Sequence, residues 1–434
     1  MNSKVFHRLV IRGGKIIIPG KKIIDNPDIY IEAGKILAIK KQPENMKNAE
    51  IIKLDQNCYI SPGFVDLHCH LREPGNTESE TIETGSLSAI AGGFAYICCM
   101  PNTNPPIDNA KIVADIKSQA KKANNANVLV IGCATKKRQG KALVNINEML
   151  RAGVVAFSDD GSPIVDSKLM TEILQQSKKY NFLVINHCEV LTLSHNGVIN
   201  EGKVSKKLNL KGIPDIAESI MVLRDVLLAD KTQGKLHIAH VSTKKAVDII
   251  RWAKKQGINV TAETCPHYFT LTEKDCLSLN TNYKVSPPLR TKVDVEAIKD
   301  GLADGTIDAI ATDHAPWHRS KKEIGWEMAK SGMIGFETAF SLGYQELVLK
   351  KYLTLEKYIA CLTNKPAQIL DLKDAGKITQ GIPVAITIFN LSKDWTLNIE
   401  NIVSKSKNSP FIGRKLKGKV ELVILTNKIF YISS

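Results

Sequence analysis

The feature that most limits the fold is a series of short apolar runs through the middle of the chain, most of them followed by a helix-like stretch. The runs occupy 64–67, 95–99, 128–131, 154–157, 182–185, 236–239, 260–263 and 307–311. Helix-like segments fall between them, as at 108–123, 167–180, 214–230 and 243–256. The runs are apolar at both parities, which suits parallel strands covered on both faces; a strand with one wet face alternates instead. Eight such units predict an α/β fold, a (β/α)8 barrel of the TIM type. An open doubly wound sheet is the alternative. No G-x-G-x-x-G follows the first run, so the dinucleotide fingerprint of such sheets is missing.

The two ends of the chain read differently. Residues 1 to 60 hold short β-rich segments at 9–11, 15–18, 28–32, 35–39 and 50–54, broken by Gly13-Gly14, Pro19-Gly20 and Gly34. The same style returns at 385–389, 419–425 and 428–432, with a turn at Thr426-Asn427. Neither end has enough strands for a domain of its own, so the two are expected to meet in one small β-sandwich. The expected organisation is a barrel over 61–368, with 1–60 and 369–434 as the two parts of the sandwich.

Composition excludes several classes. No apolar run reaches the roughly 18 residues of a membrane-spanning helix, and the first residues lack an apolar signal core, so a cytoplasmic protein is expected. The nine cysteines are an odd number without a C-x-x-C pair, the pattern of reduced thiols packed as small apolar groups. The net charge of +15 is mostly lysine, spread from Lys21-Lys22 to Lys321-Lys322 without interleaved aromatics. Nucleic acid is therefore not the expected partner; an acidic small molecule is compatible with the charge.

In such a barrel the chemistry sits where strands end. The first run ends in His68-Cys69-His70, and residues two apart on a strand share a face. The fourth ends in Ser158-Asp159-Asp160, the fifth in Asn186-His187, the sixth in Ala239-His240 and the eighth in Thr312-Asp313-His314. Imidazole and carboxylate form the donor set of Zn²⁺ or a similar divalent ion. Six donors exceed one tetrahedral shell and fit two ions sharing a carboxylate. Such ions acidify water, from a pKa of 15.7 to about 7, and an adjacent aspartate then serves as general base and returns the proton to the leaving group. The other histidines carry plainer readings. His7 is terminal and His195 lies in a polar loop. His237 faces away from His240, and His314 has the wrong parity to share a metal with Asp313. His267 is a candidate pocket residue, and His318 a candidate substrate contact.

Several segments carry a resemblance. They are 62–75 around His68-Cys69-His70-Leu71-Arg72, Met100-Pro101-Asn102-Thr103, Phe157-Ser158-Asp159-Asp160-Gly161, Asn186-His187-Cys188-Glu189, His240-Val241-Ser242-Thr243 and Ala311-Thr312-Asp313-His314-Ala315-Pro316. In this order they make the chain similar to the bacterial type I dihydroorotases of the amidohydrolase superfamily. The resemblance implies reversible, zinc-dependent hydrolysis of (S)-dihydroorotate to N-carbamoyl-L-aspartate in pyrimidine (UMP) synthesis, with one or two zinc ions per subunit. It implies that His68, His70 and Asp313 hold one zinc, that His187 and His240 hold the other, and that Asp160 rather than Asp159 bridges them. Asp313 is implied as acid/base, and Arg72 and Asn102 as the grip on the substrate carboxylate, for which an arginine fork is suited. A homodimer and association with aspartate transcarbamoylase are implied as well. Hydantoinases, allantoinases and type II dihydroorotases generally bridge their metals with a carboxylated lysine, and the fourth run offers none.

The chain departs from that pattern in the substrate pocket. Ser286 stands where the family has Asn, Trp317 where it has His (with His318 next), and Lys330-Ser331-Gly332 where it has Pro-Phe-Gly. Ser286, Trp317, His318 and Gly332 are thus candidate substrate-binding residues, and the loop 314–332 is a candidate lid. A site that changes its hydrogen-bonding groups can change its discrimination. Two further readings therefore stand beside the first: another cyclic amidohydrolase of the allantoinase or hydantoinase type, and a non-catalytic homologue partnering aspartate transcarbamoylase. Homologues of the last kind typically lose the H-x-H pair, which this chain keeps.

Overall fold

The computed structural model describes residues 1–40 and 46–432; 41–45 and 433–434, within the two terminal parts defined above, lie outside the described residues. The barrel strands are β1 (Phe64–Cys69), β2 (Phe94–Cys99), β3 (Asn127–Gly132), β4 (Val154–Phe157), β5 (Leu183–Asn186), β6 (Lys235–Ile238), β7 (Val260–Thr264) and β8 (Ala309–Ile310). Each pairs in parallel with the next. The ring closes through a parallel bridge between Cys69 and His314, where the His70 N–H donates to the His314 carbonyl at 2.8 Å. That closure overturns the open-sheet alternative. β8 is shorter than the run 307–311 because the chain is pulled aside just beyond it. The N–H and hydroxyl of Thr312 both donate to the Asp66 carboxylate, at 2.8 and 2.7 Å, and Asp313 turns to a φ of 45°.

The double-sided apolar pattern has a direct cause in the packing. One buried cluster, with Leu67, Cys98, Ile131, Ala156, Ile185 and Ala309, fills the barrel. A second, with Phe64, Ile97, Cys99, Phe157 and Ile238, packs the strands on the surrounding helices. The helix Lys244–Lys255 shows how the outer layer forms. Thr243 caps it by accepting from the Ala246 N–H, and Ala246, Val247, Ile250 and Ala253 bury one face.

Both chain ends do meet in one sheet of nine strands. Ala385–Thr396 from the C-terminal part lies beside Glu50–Pro62 from the N-terminal part. Leu9, Ile11, Ile31, Ile60, Ile386, Ile388 and Ile424 form its own core. Hydrogen bonding runs through the whole sheet, and its far edge returns at the bridge from Lys35 to Pro383, so the two layers of the sandwich are one continuous sheet. This domain is joined to the barrel through Gly63, between Pro62 and β1. The Gly63 N–H donates to Ala385 at 2.8 Å, and a Cβ there would lie 2.4 Å from the Ala95 methyl, which only glycine avoids. No helix among the described residues is long and apolar enough to cross a membrane.

Candidate active site

The strand ends bring six side chains into one buried cluster: His68, His70, Asp160, His187, His240 and Asp313. Asp160 is at its centre. Its Oδ1 lies 3.4 Å from His68 Nε2, 3.7 Å from His240 Nε2 and 3.9 Å from His187 Nδ1, and its Oδ2 lies 3.8 Å from His70 Nε2. Asp313 Oδ1 lies 3.0 Å from His70 Nε2 and 3.7 Å from His68 Nε2. His187 Nδ1 and His240 Nε2 are 2.8 Å apart. Asp313 and His240 take positive φ values of 45° and 35°, as does Arg72 at 60°. Such conformations are uncommon for these residue types and concentrate where function fixes a side chain.

The donors fit a divalent metal. Oδ1 of Asp160 and Nε2 of His68, 3.4 Å apart, are both buried without a hydrogen-bond partner, a costly arrangement for polar atoms unless an ion satisfies them. The donor atoms of His68, Asp160 and His240 form one group of mutual neighbours, and those of His68, His70 and Asp313 a second.

Three of the histidines are oriented by a second polar partner. Nδ1 of His68 is 3.0 Å from Glu263 Oε1, Nδ1 of His70 is 2.8 Å from Asn102 Oδ1, and Nε2 of His187 is 3.2 Å from Glu189 Oε2. Such partners fix tautomer and ring orientation at metal sites. Burial would raise Glu263, but hydrogen bonds from His237 and His68 outweigh it and bring the carboxyl down to about 2. Burial would likewise raise Asp313, yet its histidine neighbours hold it below the ordinary carboxylate range, so it is ionised at neutral pH. Asp159 takes no part in the cluster. Its carboxylate accepts from the backbone of Ala134 and Thr135 and from the Thr135 hydroxyl.

Beyond the cluster opens a cavity of about 200 Å³, lined by His70, Arg72, Asn102, Ser286, Trp317, Ser331 and Gly332 among others. Larger hollows of about 470 and 630 Å³ elsewhere hold none of the six donors; chemistry rather than size marks the site. Arg72 lies over the Trp317 ring at 4.0 Å and donates from Nε to the Pro316 carbonyl at 3.0 Å. The Trp317 indole N–H donates to the Ser331 carbonyl at 2.9 Å. Asn102 joins two donors of the cluster, since its Nδ2 donates to Asp160 Oδ2 at 3.1 Å while its Oδ1 faces His70. Gly332, at φ 131°, sits where a Cβ would lie 2.7 Å from Ala315 Cβ.

Other histidines fall outside this arrangement. His318 is exposed, is absent from the cavity wall, and has Nδ1 2.9 Å from the Ser320 hydroxyl at a short helix's start. His267 is absent from the cavity wall but lies beside Asp313 and Cys265, whose donor atoms form a third close group with its own. Its Nε2 is buried without a hydrogen-bond partner, and burial pushes the ring down to about 4. His314 faces Glu80 at 3.4 Å and stacks on Phe336. His237 shares Glu263 with His68. Glu263 escaped the sequence reading although it lies near the end of β7, the same signal that marked the other strand ends. Glu189 stands inside a motif that was read only for His187.

A closed parallel barrel with this donor set on its C-terminal rim defines the class, an amidohydrolase. Solved structures agree on the fold. An L-hydantoinase (dihydropyrimidinase) from Arthrobacter aurescens superposes with a TM-score of 0.87 at 24% identity, over 98% of this chain and 96% of that one. A dihydropyrimidinase from Brevibacillus agri gives 0.84 at 22%, over 97% and 94%. A family model described as dihydro-orotase-like matches residues 58–246. Curated dihydroorotases are similar over nearly the whole length. That of Endomicrobium trichonymphae is 47% identical over 98% of this chain and 99% of its own. That of Caldicellulosiruptor saccharolyticus is 46% identical over 97% and 98%. The chain belongs to the dihydroorotase family.

Proposed function

We infer that the protein hydrolyses the ring amide of (S)-dihydroorotate, and closes N-carbamoyl-L-aspartate in the reverse direction. The barrel, residues 61–368, carries this chemistry, and 1–60 with 369–434 form the accessory domain. The observation that carries the reading is Asp160 Oδ1, a buried carboxylate oxygen ringed by three imidazoles within 4 Å and given no other partner. His68, His70 and Asp313 would hold one metal ion, zinc by this reading, and His187 and His240 a second, with Asp160 as a ligand common to both. Bound zinc supplies the Lewis acidity that makes water nucleophilic at neutral pH and polarises an amide carbonyl. Asp313, ionised and beside His70, accepts the proton of the attacking water. It delivers that proton to the ring nitrogen as the C–N bond breaks. Arg72 is steadied by Trp317 and Pro316, and its terminal nitrogens take the substrate carboxylate in a two-pronged contact. Asn102, in the same cavity wall, shares this grip and also steadies His70 and Asp160.

A second reading has its own observation. Ser286, Trp317 and Ser331, the three departures from the family pattern, all line the cavity, which is where a shift to another cyclic ureide would be written. The decisive experiment measures metal content and turnover on one preparation, with dihydroorotate, carbamoyl aspartate, hydantoin, allantoin and dihydrouracil as substrates. Zinc-loaded protein is expected to interconvert the first pair, to lose activity with a chelator and to regain it with zinc. Turnover of another ureide without the first pair replaces the substrate assignment. A protein that takes up no metal revives the non-catalytic partner of aspartate transcarbamoylase. We further propose a cytoplasmic homodimer. Nine free, buried cysteines fit a reducing compartment, and Ile216, Ile220, Leu223 and Leu227 form an exposed apolar stripe on one helix suited to a symmetric contact.

A further inference from the structure

The wall of the cavity that departs most from the family pattern is held by a side chain from the other domain. After the strand Ala385–Thr396, the chain leaves the terminal sheet and crosses to the barrel rim before returning at Lys415–Leu425. Val403 and Ser404 anchor the crossing by donating their N–H groups to the Glu337 carboxylate at 2.9 and 3.0 Å. Ser406 donates to the Ser79 carbonyl at 2.6 Å. Between these anchors and the returning strand lies Asn408, buried at 5% exposure. Its Oδ1 accepts the Trp317 backbone N–H at 3.1 Å. Its Nδ2 donates to the carbonyls of Ala315 and Gly332, each at 3.1 Å. Its own carbonyl accepts the Ile334 N–H at 3.1 Å. One amide therefore ties together two separate segments, 315–317 and 332–334, and uses both of its polar ends to do so.

Those two segments carry Ala315, Trp317 and Gly332 of the cavity wall. Trp317 in turn lies against Arg72 and bonds to Ser331. An asparagine amide is one of few groups that can accept from one backbone N–H and at the same time donate to two backbone carbonyls, here one on each segment. We propose that Asn408 is a positioning residue for substrate recognition: through the two loop segments it sets the Trp317 ring beneath Arg72, and so the direction of the guanidinium. It touches none of the six metal donors, so its effect falls on substrate binding rather than on the chemical step. This rests on the reading of Arg72 as the carboxylate grip.

The test separates the two. Asn408→Asp keeps the shape and the acceptor for Trp317 but turns the two donors into acceptors facing carbonyls. Asn408→Ser removes most of the clasp without introducing a charge. Each variant is expected to raise KM for dihydroorotate about tenfold, the scale of a lost buried hydrogen-bond partner, with kcat within about twofold and metal content unchanged. Trp317→Phe, which leaves Asn408 in place and removes the indole N–H, is expected to raise KM in the same way. Combined with Asn408→Ser it should add little, because the two act on one element. A KM unchanged in all three variants, or a joint loss of kcat, KM and metal, overturns the inference. A wild-type enzyme active only on another ureide instead overturns the substrate reading, and the KM comparison is then made with that ureide.

Discussion

The two halves of the site are built by different means. On the metal side every donor stands at or just past a strand end, and three of the four histidines are turned by a carboxylate or amide: the buried Glu263 and the half-buried Asn102 and Glu189. On the substrate side the wall comes from loops at Ser286, Ala315–Trp317 and Ser331-Gly332, and backbone carbonyls are its main anchor points. Asn408 clasps Ala315 and Gly332, and Lys322 Nζ donates to the carbonyls of Lys330 and Gly332 at 2.8 and 2.9 Å. Barrel strands fix their ends to within the hydrogen-bond register, so the metal side tolerates little change. Loops keep their shape through a few clasps and can exchange residues while the clasps remain. The departures from the family pattern fall on the loop side alone.

The largest expected effect lies on the strand side. Asp313→Asn removes the proton acceptor while keeping the size of the side chain. Turnover should fall by about 10² to 10⁴, with metal still partly bound through the remaining donors. Steady-state kinetics together with metal analysis checks this. A variant that keeps most of its activity would place the acid/base elsewhere and break the division of roles. A smaller effect is expected one shell out. Glu263→Gln keeps a hydrogen bond to His68 but removes the charge, and metal affinity should drop about 10- to 100-fold, read by competition with a chelator. If affinity is unchanged, the strand side owes its rigidity to backbone register and not to its buried carboxylates.

The same contrast explains what the sequence disclosed. The barrel was legible because eight runs are apolar at both parities, a pattern with few other physical solutions. The donors were legible because they follow those runs directly; His68 and His70 needed only the two-residue period of a strand. The choice between Asp159 and Asp160 was not a matter of spacing. It depends on the Thr135 loop, which takes Asp159 for its own backbone. His318 was read as a substrate contact from its place beside Trp317, and the helix start it occupies turns it outward. Asn408 and Lys322 gave no local signal at all. Their partners lie tens of residues away in sequence or belong to backbone carbonyls, and no periodicity records such a contact. The short β8 belongs to the same category, since its end is set by Asp66, 246 positions from Thr312.

The smallest effect concerns the loop side and is a matter of pH. Lys322 is buried at 2% exposure, and its amine faces carbonyls rather than a carboxylate. Burial, with the nearby Lys284 charge, pushes it from 10.5 down to about 7. The unfolded chain therefore holds a proton between pH 7 and 10.5 that the folded protein has given up. Unfolding then binds a proton, so stability rises with pH across that window and is flat below it. From pH 7 to 8 the gain is about 1 kcal/mol. Lys322→Met keeps an unbranched side chain without the titrating group, and its denaturation midpoint should lack this rise when the two proteins are compared from pH 6.5 to 9. Parallel curves for wild type and variant would mean that the carbonyls hold Lys322 charged throughout. The loop side would then be fixed by a permanent ion, as the strand side is by its carboxylates, and the contrast between the two halves would narrow to where their residues come from.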